Sequence, residues 1–162
     1  MKNVMLHSVS VFLGLALATT LTSCLSGGIG RTTRVPEQEP NNTQDAANVV
    51  SVPGAATGVV GKGDDAADWF RIESPNDCVI VAELRNLSSG DRTTKGKDLD
   101  RFVVLCNGKE VERGPESRLE PGDTSTLTFH ASKGQVFMIA VKPRAQSGTA
   151  NTPNYTLLVK PK

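Results

Sequence analysis

The feature that most constrains the fold is a series of short segments in which apolar and polar residues alternate, with turn residues between them. Thr124 to His130 alternates with a period of two, as a strand with one buried face does. Asn107-Gly108 separates two further segments and is a strong hairpin signal. The other predicted strands lie at residues 57–60, 68–72, 78–87, 102–106, 109–112, 135–141 and 155–159.

Helical periodicity is not sustained over three turns anywhere in the sequence, and Thr43 to Val49 is a single short turn at most. Strands at intervals of roughly ten residues, without helices between them, favour an all-β fold, an antiparallel β-sandwich. We expect residues 37–162 to form this domain. The polar stretch from Ser88 to Arg101 is predicted to be a long loop.

The first 24 residues have the organisation of a bacterial lipoprotein signal peptide. Lys2 supplies the positive charge, residues 9–21 are mostly apolar, and Leu21-Thr22-Ser23-Cys24 matches a lipobox. The apolar run is shorter than the ~20 residues of a spanning helix. We therefore expect cleavage before Cys24 and a diacylglyceryl thioether and acyl lipid on this cysteine. An ordinary signal peptide, or an N-terminal helix that stays attached, is the alternative.

Lipidation would make the membrane a partner of the mature chain through its anchor. Leu25 follows the cysteine, where an aspartate signals inner-membrane retention in enterobacterial lipoproteins. We expect the protein at the outer membrane, on its periplasmic face or at the cell surface. Residues 25–36 are predicted to be a flexible tether that spans ~20 Å on average.

Charge excludes one class of partner. Of the 18 basic residues, Lys2 lies in the signal peptide, and the other 17 balance the 17 acidic residues. A neutral mature chain gives no electrostatic argument for binding nucleic acid.

Acidic residues are concentrated between residues 37 and 68, a segment that contains six acidic residues and one lysine. Glu37 and Glu39 point to one side of an extended segment, and Asn41 continues that side. If this segment folds back on the turn that contains Asp65 and Asp68, four carboxylates and an amide oxygen converge. Such oxygen ligands suit Ca²⁺, which takes 6–8 of them. A solvated N-terminal segment beside a polar turn is the alternative.

Two cysteines remain after lipidation of the first. Cys78 and Cys106 both lie in strand-like apolar segments of a protein expected in an oxidising compartment. The sequence favours a disulfide between them, with two buried thiols as the alternative.

The chain also resembles the bacterial pre-peptidase C-terminal domain, a family that includes the collagen-binding domains of clostridial collagenases. The resemblance rests on Glu37-Gln38-Glu39-Pro40-Asn41-Asn42 and on Asp65-Ala66-Ala67-Asp68-Trp69-Phe70, with weaker matches in the later strands. It implies a jelly-roll-like β-sandwich over about residues 37–160. In calcium-binding members the matching positions are ligands, which here are Glu37, Glu39, Asn41, Asp65 and Asp68. Some members have an acid in place of Asn42, and its loss here could remove a second calcium.

Catalysis is not indicated. His130 is the only histidine after the signal peptide, and the sequence contains no G-x-S-x-G, P-loop, H-E-x-x-H or C-x-x-C motif. We predict a non-catalytic, lipid-anchored binding or adhesion module for an extracytoplasmic protein or glycan. Collagen is not the expected ligand, since the collagen-binding members use exposed tyrosines and this chain has one, Tyr155, in a strand-like segment. A structural accessory subunit of an envelope complex, of the secretion, motility or pilus type, is the alternative.

Overall fold

The computed structural model describes residues 32–61, 65–89, 98–100, 102–114, 118–144 and 152–162. The predicted signal peptide, the predicted lipidation site Cys24, the predicted tether up to residue 31 and most of the predicted loop at 88–101 lie outside these residues. Among the residues that the structure describes, no helix is long and apolar enough to cross a membrane.

Two five-stranded sheets pack face to face, so the predicted all-β sandwich is confirmed. The strands are, in chain order, β1 (Arg34–Pro36), β2 (Asn48–Val49), β3 (Gly54–Val59), β4 (Asp68–Glu73), β5 (Cys78–Asn86), β6 (Val103–Cys106), β7 (Lys109–Arg113), β8 (Thr124–Ala131), β9 (Val136–Val141) and β10 (Asn154–Pro161). The first sheet has the order β1-β3-β10-β5-β8, and the second has the order β2-β4-β9-β6-β7. A short 3-10 helix at Gln44–Ala46 occupies the predicted single turn.

The eight segments predicted as strands all form strands. Seven of them bury apolar side chains between the sheets, whereas β7 is mostly exposed and pairs with β6 through the hairpin turn. Alternation is clearest in β8, where every second residue from Ser125 to Ala131 is buried. At the β6–β7 connection, Asn107 and Gly108 both have positive φ, 51° and 73°, as a two-residue hairpin turn of this type requires. The core contains the fully buried Phe70, Phe102, Phe137 and Tyr155.

The first two strands depart from the predicted pattern. Residues 34–36, which the sequence assigned to the tether, form β1 and pair in parallel with β3. Similarly, β2 pairs in parallel with β4, whereas the other strand pairs are antiparallel. Strands of two or three residues are too short to show alternation. They form because the outer edges of β3 and β4 supply backbone hydrogen-bond partners.

The predicted disulfide is not present, because Cys78 and Cys106 are free thiols. Cys78 begins β5 in the first sheet and Cys106 ends β6 in the second. Each sulfur instead has a local neighbour: Gln135 Nε2 donates to Cys106 Sγ at 3.1 Å, and Ser74 Oγ lies 3.7 Å from Cys78 Sγ.

Candidate metal centre

Glu37, the first of the predicted ligands, lies directly after the end of β1. Its backbone N–H donates to Thr57 O at 2.9 Å, and its Oε1 accepts the Val59 N–H at 2.6 Å. Gly58 leaves the space for this side chain, because a Cβ at that position would lie 1.9 Å from Glu37 Oε2. The edge of the first sheet therefore fixes the Glu37 carboxylate in one place.

Asp68 approaches the same place from the second sheet. It begins β4 and is fully buried, and the N–H of the next residue, Trp69, donates to Asn41 O at 2.9 Å. This backbone hydrogen bond holds the N-terminal segment against the turn before β4, which is the arrangement that the predicted convergence of ligands needs. Glu37, Glu39 and Asp68 consequently each offer a carboxylate oxygen, and these oxygens lie within 4.8 Å of one another.

Tyr155 joins the two sheets at this point. It lies on β10 directly opposite Gly58, and its ring meets Phe70 edge-on, with centroids 6.2 Å apart. Its hydroxyl is 2.7 Å from Glu37 Oε2 and 2.6 Å from Asp68 Oδ2. A phenol has only one proton, so it can donate to only one of these carboxylates at a time. The second short contact needs another proton, or a cation, between the oxygens.

The electrostatics of Asp68 supply that proton in the metal-free chain. Burial, helped by the neighbouring Glu37 and Asp65 and opposed by the Tyr155 hydrogen bond, raises the pKa of Asp68 from 3.8 to about 9. Asp68 is therefore protonated at neutral pH. Burial, followed by the charge of Asp68, also raises the pKa of Tyr155, which stays a neutral donor.

Two asparagine amides complete the cluster. With its NH₂ group turned inward, Asn41 donates to Asp68 Oδ1 at 3.1 Å and to Glu39 Oε2 at 3.2 Å. In the same orientation Asn42 donates to Asp65 Oδ1 at 3.2 Å and to Glu39 Oε2 at 3.3 Å. A half-turn about the last side-chain bond presents the carbonyl oxygens instead, so the same amides suit both the metal-free cluster and a cation.

Of the five predicted ligands, three therefore meet, and Asn41, which is fully buried, contacts two of them. Asp65 stands apart from the three carboxylates: its Oδ2 accepts the Gly61 N–H at 2.8 Å, and Asn42 links it to Glu39. Sequence reasoning missed the part played by Tyr155. It is 118 residues from Glu37 in sequence, and no local signal predicts their contact.

Comparison with known proteins gives a match in structure rather than in sequence. No protein-family model and no curated protein matches the chain. The crystal structure of the pre-peptidase C-terminal domain of a collagenase from Bacillus anthracis has 18% identity and a TM-score of 0.50, covering 70% of this chain and 94% of that one. A beta-glucosidase from Paenibacillus barengoltzii has 10% identity and a TM-score of 0.31, covering 81% of this chain and 13% of that one. This TM-score is too low to establish a shared fold. The chain therefore has the fold of a pre-peptidase C-terminal domain, as its sequence motifs predicted.

Proposed function

We propose that this chain is a non-catalytic binding module of the cell envelope, stabilised by calcium and anchored by lipid on Cys24. The observation that carries the calcium part of this proposal is the meeting of Glu37, Glu39 and Asp68 at the start of the sandwich. This cluster lies where the chain coming from the anchor joins the domain. A cation there would tie that segment to both sheets.

Calcium suits the donor set because Glu37, Glu39 and Asp68 supply carboxylate oxygens and Asn41 can add an amide oxygen. Ca²⁺ would supply the positive charge that the metal-free cluster obtains by keeping a proton on Asp68. Binding would then release that proton, and affinity would rise with pH. Zinc is not favoured, since no histidine or cysteine is among these ligands.

A binding role agrees better with the arrangement of polar side chains than a hydrolytic one does. Ser125 is buried between the sheets, whereas His130 is exposed on the opposite side of the same strand. A serine–histidine pair therefore does not form on β8. The partner class we propose is an extracytoplasmic protein or a glycan.

The metal is tested by thermal melting of the processed chain in excess calcium and in EDTA. At a hundredfold excess over Kd, calcium should add ~2.7 kcal/mol to the free energy of unfolding. Glu39→Gln should reduce this gain, while Asp45→Asn, at an exposed acid on the 3-10 helix, should preserve it. Identical melting curves of the unaltered protein in calcium and EDTA would remove the metal from the proposal.

The anchor and the partner need separate experiments. Cys24→Ser should leave the protein unacylated by mass spectrometry and move it out of the membrane fraction. Crosslinking in intact envelopes should capture a protein or a glycan. Added purified chain should compete with the anchored chain for this partner. A single partner at fixed stoichiometry would instead favour the accessory subunit of an envelope complex.

A further inference from the structure

The outer face of the second sheet carries an apolar strip that includes the only tryptophan of the sequence, Trp69. Phe70 and Ile72 of β4 point into the core, so the residues between and beside them point outward. The same alternation in β9 and β6 turns their intervening residues outward as well. The half-buried apolar residues of this outer face are Trp69, Val136, Met138, Val103 and Leu105.

Cross-strand register places these residues in two rows, each with a charge at one end or both. The first row, running from β4 through β9 and β6 to β7, is Trp69, Ala140, Val103 and Arg113. The second row, in the same direction, is Arg71, Met138, Leu105 and Glu110. A shallow depression of about 250 Å³ lies over this face, lined by members of both rows.

This charge pattern is self-complementary under one symmetry operation. A two-fold axis parallel to the strands, between β9 and β6, stacks a second copy with its β4 opposite β7. Arg71 of each copy then faces Glu110 of the other, and Met138 faces Leu105. Sheets stacked in this way lie ~10 Å apart with strands within ~30° of each other, so these side chains reach across.

The same operation brings Trp69 of each copy over Arg113 of the other. A guanidinium above an indole ring is a favourable cation–π arrangement, and Trp and Arg are among the residues enriched at interface hot spots. Within one chain, Arg113 pairs with Glu110 and Arg71 pairs with Glu73. Stacking therefore joins existing ion pairs into an alternating network at the rim, around an apolar centre, as protein interfaces are built.

We propose that this outer face of the second sheet is the contact surface of a symmetric homodimer. Four strands at ~4.8 Å spacing and ~17 Å length present only about half of the ~800 Å² per partner of a standard interface. The dimer is therefore weak and reversible, with a Kd on the order of tens to hundreds of micromolar. The proposal does not depend on the bound metal or on the identity of the envelope partner.

The test is sedimentation of the processed full chain in mild detergent, from about 1 to 500 µM, with Trp69 fluorescence recorded in parallel. The unaltered chain should pass from monomer to dimer, with a blue shift of Trp69 emission over the same concentrations. R71E places like charges opposite Glu110, and E110R places like charges opposite Arg71, so each variant alone should be monomeric. Their mixture restores opposite charges at both contacts and should form a heterodimer.

Thr126→Glu, on the exposed outer face of the first sheet, is the matched control and should dimerise like the unaltered chain. Circular dichroism confirms that each variant is folded before it is scored. A chain that stays monomeric with constant Trp69 emission overturns the proposal. It is equally overturned if the R71E and E110R mixture remains monomeric while the unaltered chain dimerises, or if T126E abolishes association.

Discussion

Replacing Asp68 with asparagine distinguishes the metal-free cluster from its calcium-bound form. The substitution should stabilise the metal-free chain and weaken the stabilisation by calcium. Asparagine keeps the size of the side chain and cannot ionise. In the metal-free chain it can accept from the Tyr155 hydroxyl and donate toward Glu37, as protonated Asp68 does. In calcium it removes a charged ligand.

The pH dependence gives the magnitude and its sign. Unfolded Asp68 ionises near pH 3.8, whereas the folded, buried group ionises near pH 9. Between these values the folded state binds one more proton than the unfolded state, so stability falls as pH rises, by ~1.4 kcal/mol per pH unit. At pH 7 the accumulated cost to the metal-free chain is about 4 kcal/mol as an order of magnitude. It is absent below pH 3.8.

Asp68→Asn should therefore raise the Tm of the EDTA-treated chain by roughly 10 °C at pH 7, and by little at pH 4. In saturating calcium the unaltered chain should gain ~2.7 kcal/mol at a hundredfold excess over Kd, and the variant much less. Differential scanning calorimetry at pH 4, 5.5, 7 and 8.5, with and without EDTA, measures both effects. Asp45→Asn is the exposed control and should follow the unaltered chain throughout.

The reasoning is refuted if Asp68→Asn destabilises the EDTA-treated chain by the same amount at every pH. That result would mean that Asp68 is ionised in the folded metal-free state, and that the short contacts to its carboxylate are stabilised without a proton.

Three further measurements test the bridge between the sheets, the space at Gly58 and the state of the two cysteines. Tyr155→Phe should lower the free energy of unfolding by ~1–3 kcal/mol in denaturant titrations in EDTA, because it removes the hydroxyl that hydrogen-bonds both Glu37 and Asp68; an unchanged midpoint would contradict the bridge between the sheets. Gly58→Ala should displace the neighbouring carboxylate and weaken calcium binding at least tenfold by calorimetric titration, whereas Gly108→Ala, at an open hairpin tip, should cost only ~1 kcal/mol of strain and leave calcium affinity intact. Reducing agent should not change the Tm, since Cys78 and Cys106 are free thiols; a reduction-dependent loss of ~2–5 kcal/mol would show that they pair after all.

Local patterns in the sequence were sufficient for the β-sandwich and for its strands from β3 onward. The alternation in residues 124–131 and the Asn107-Gly108 turn depend only on neighbouring residues, so they can be recognised without knowing the partner strands. The edge strands β1 and β2 could not be predicted in this way, since two or three residues show no period. They exist because β3 and β4 offer open backbone edges.

The same distinction applies to the candidate site. The spacing predicted that Glu37, Glu39, Asn41, Asp65 and Asp68 would converge if the segment folds back on the nearby turn. In the structure, three of these carboxylates meet. The spacing did not predict that the Asp65 carboxylate would accept the Gly61 N–H, or that the strands of the two cysteines would lie in opposite sheets.

The bridge between the sheets, however, was decided by tertiary structure alone. β10 lies between β3 and β5, and only this strand order places Tyr155 opposite Gly58 and between Glu37 and Asp68. The buried, protonated state of Asp68 depends on that packing, because desolvation is a property of the assembled core and not of any stretch of the chain. The sequence by itself thus determined which residues alternate and where the acids cluster. The packing of distant strands determined that Asp68 is the acid that stays protonated.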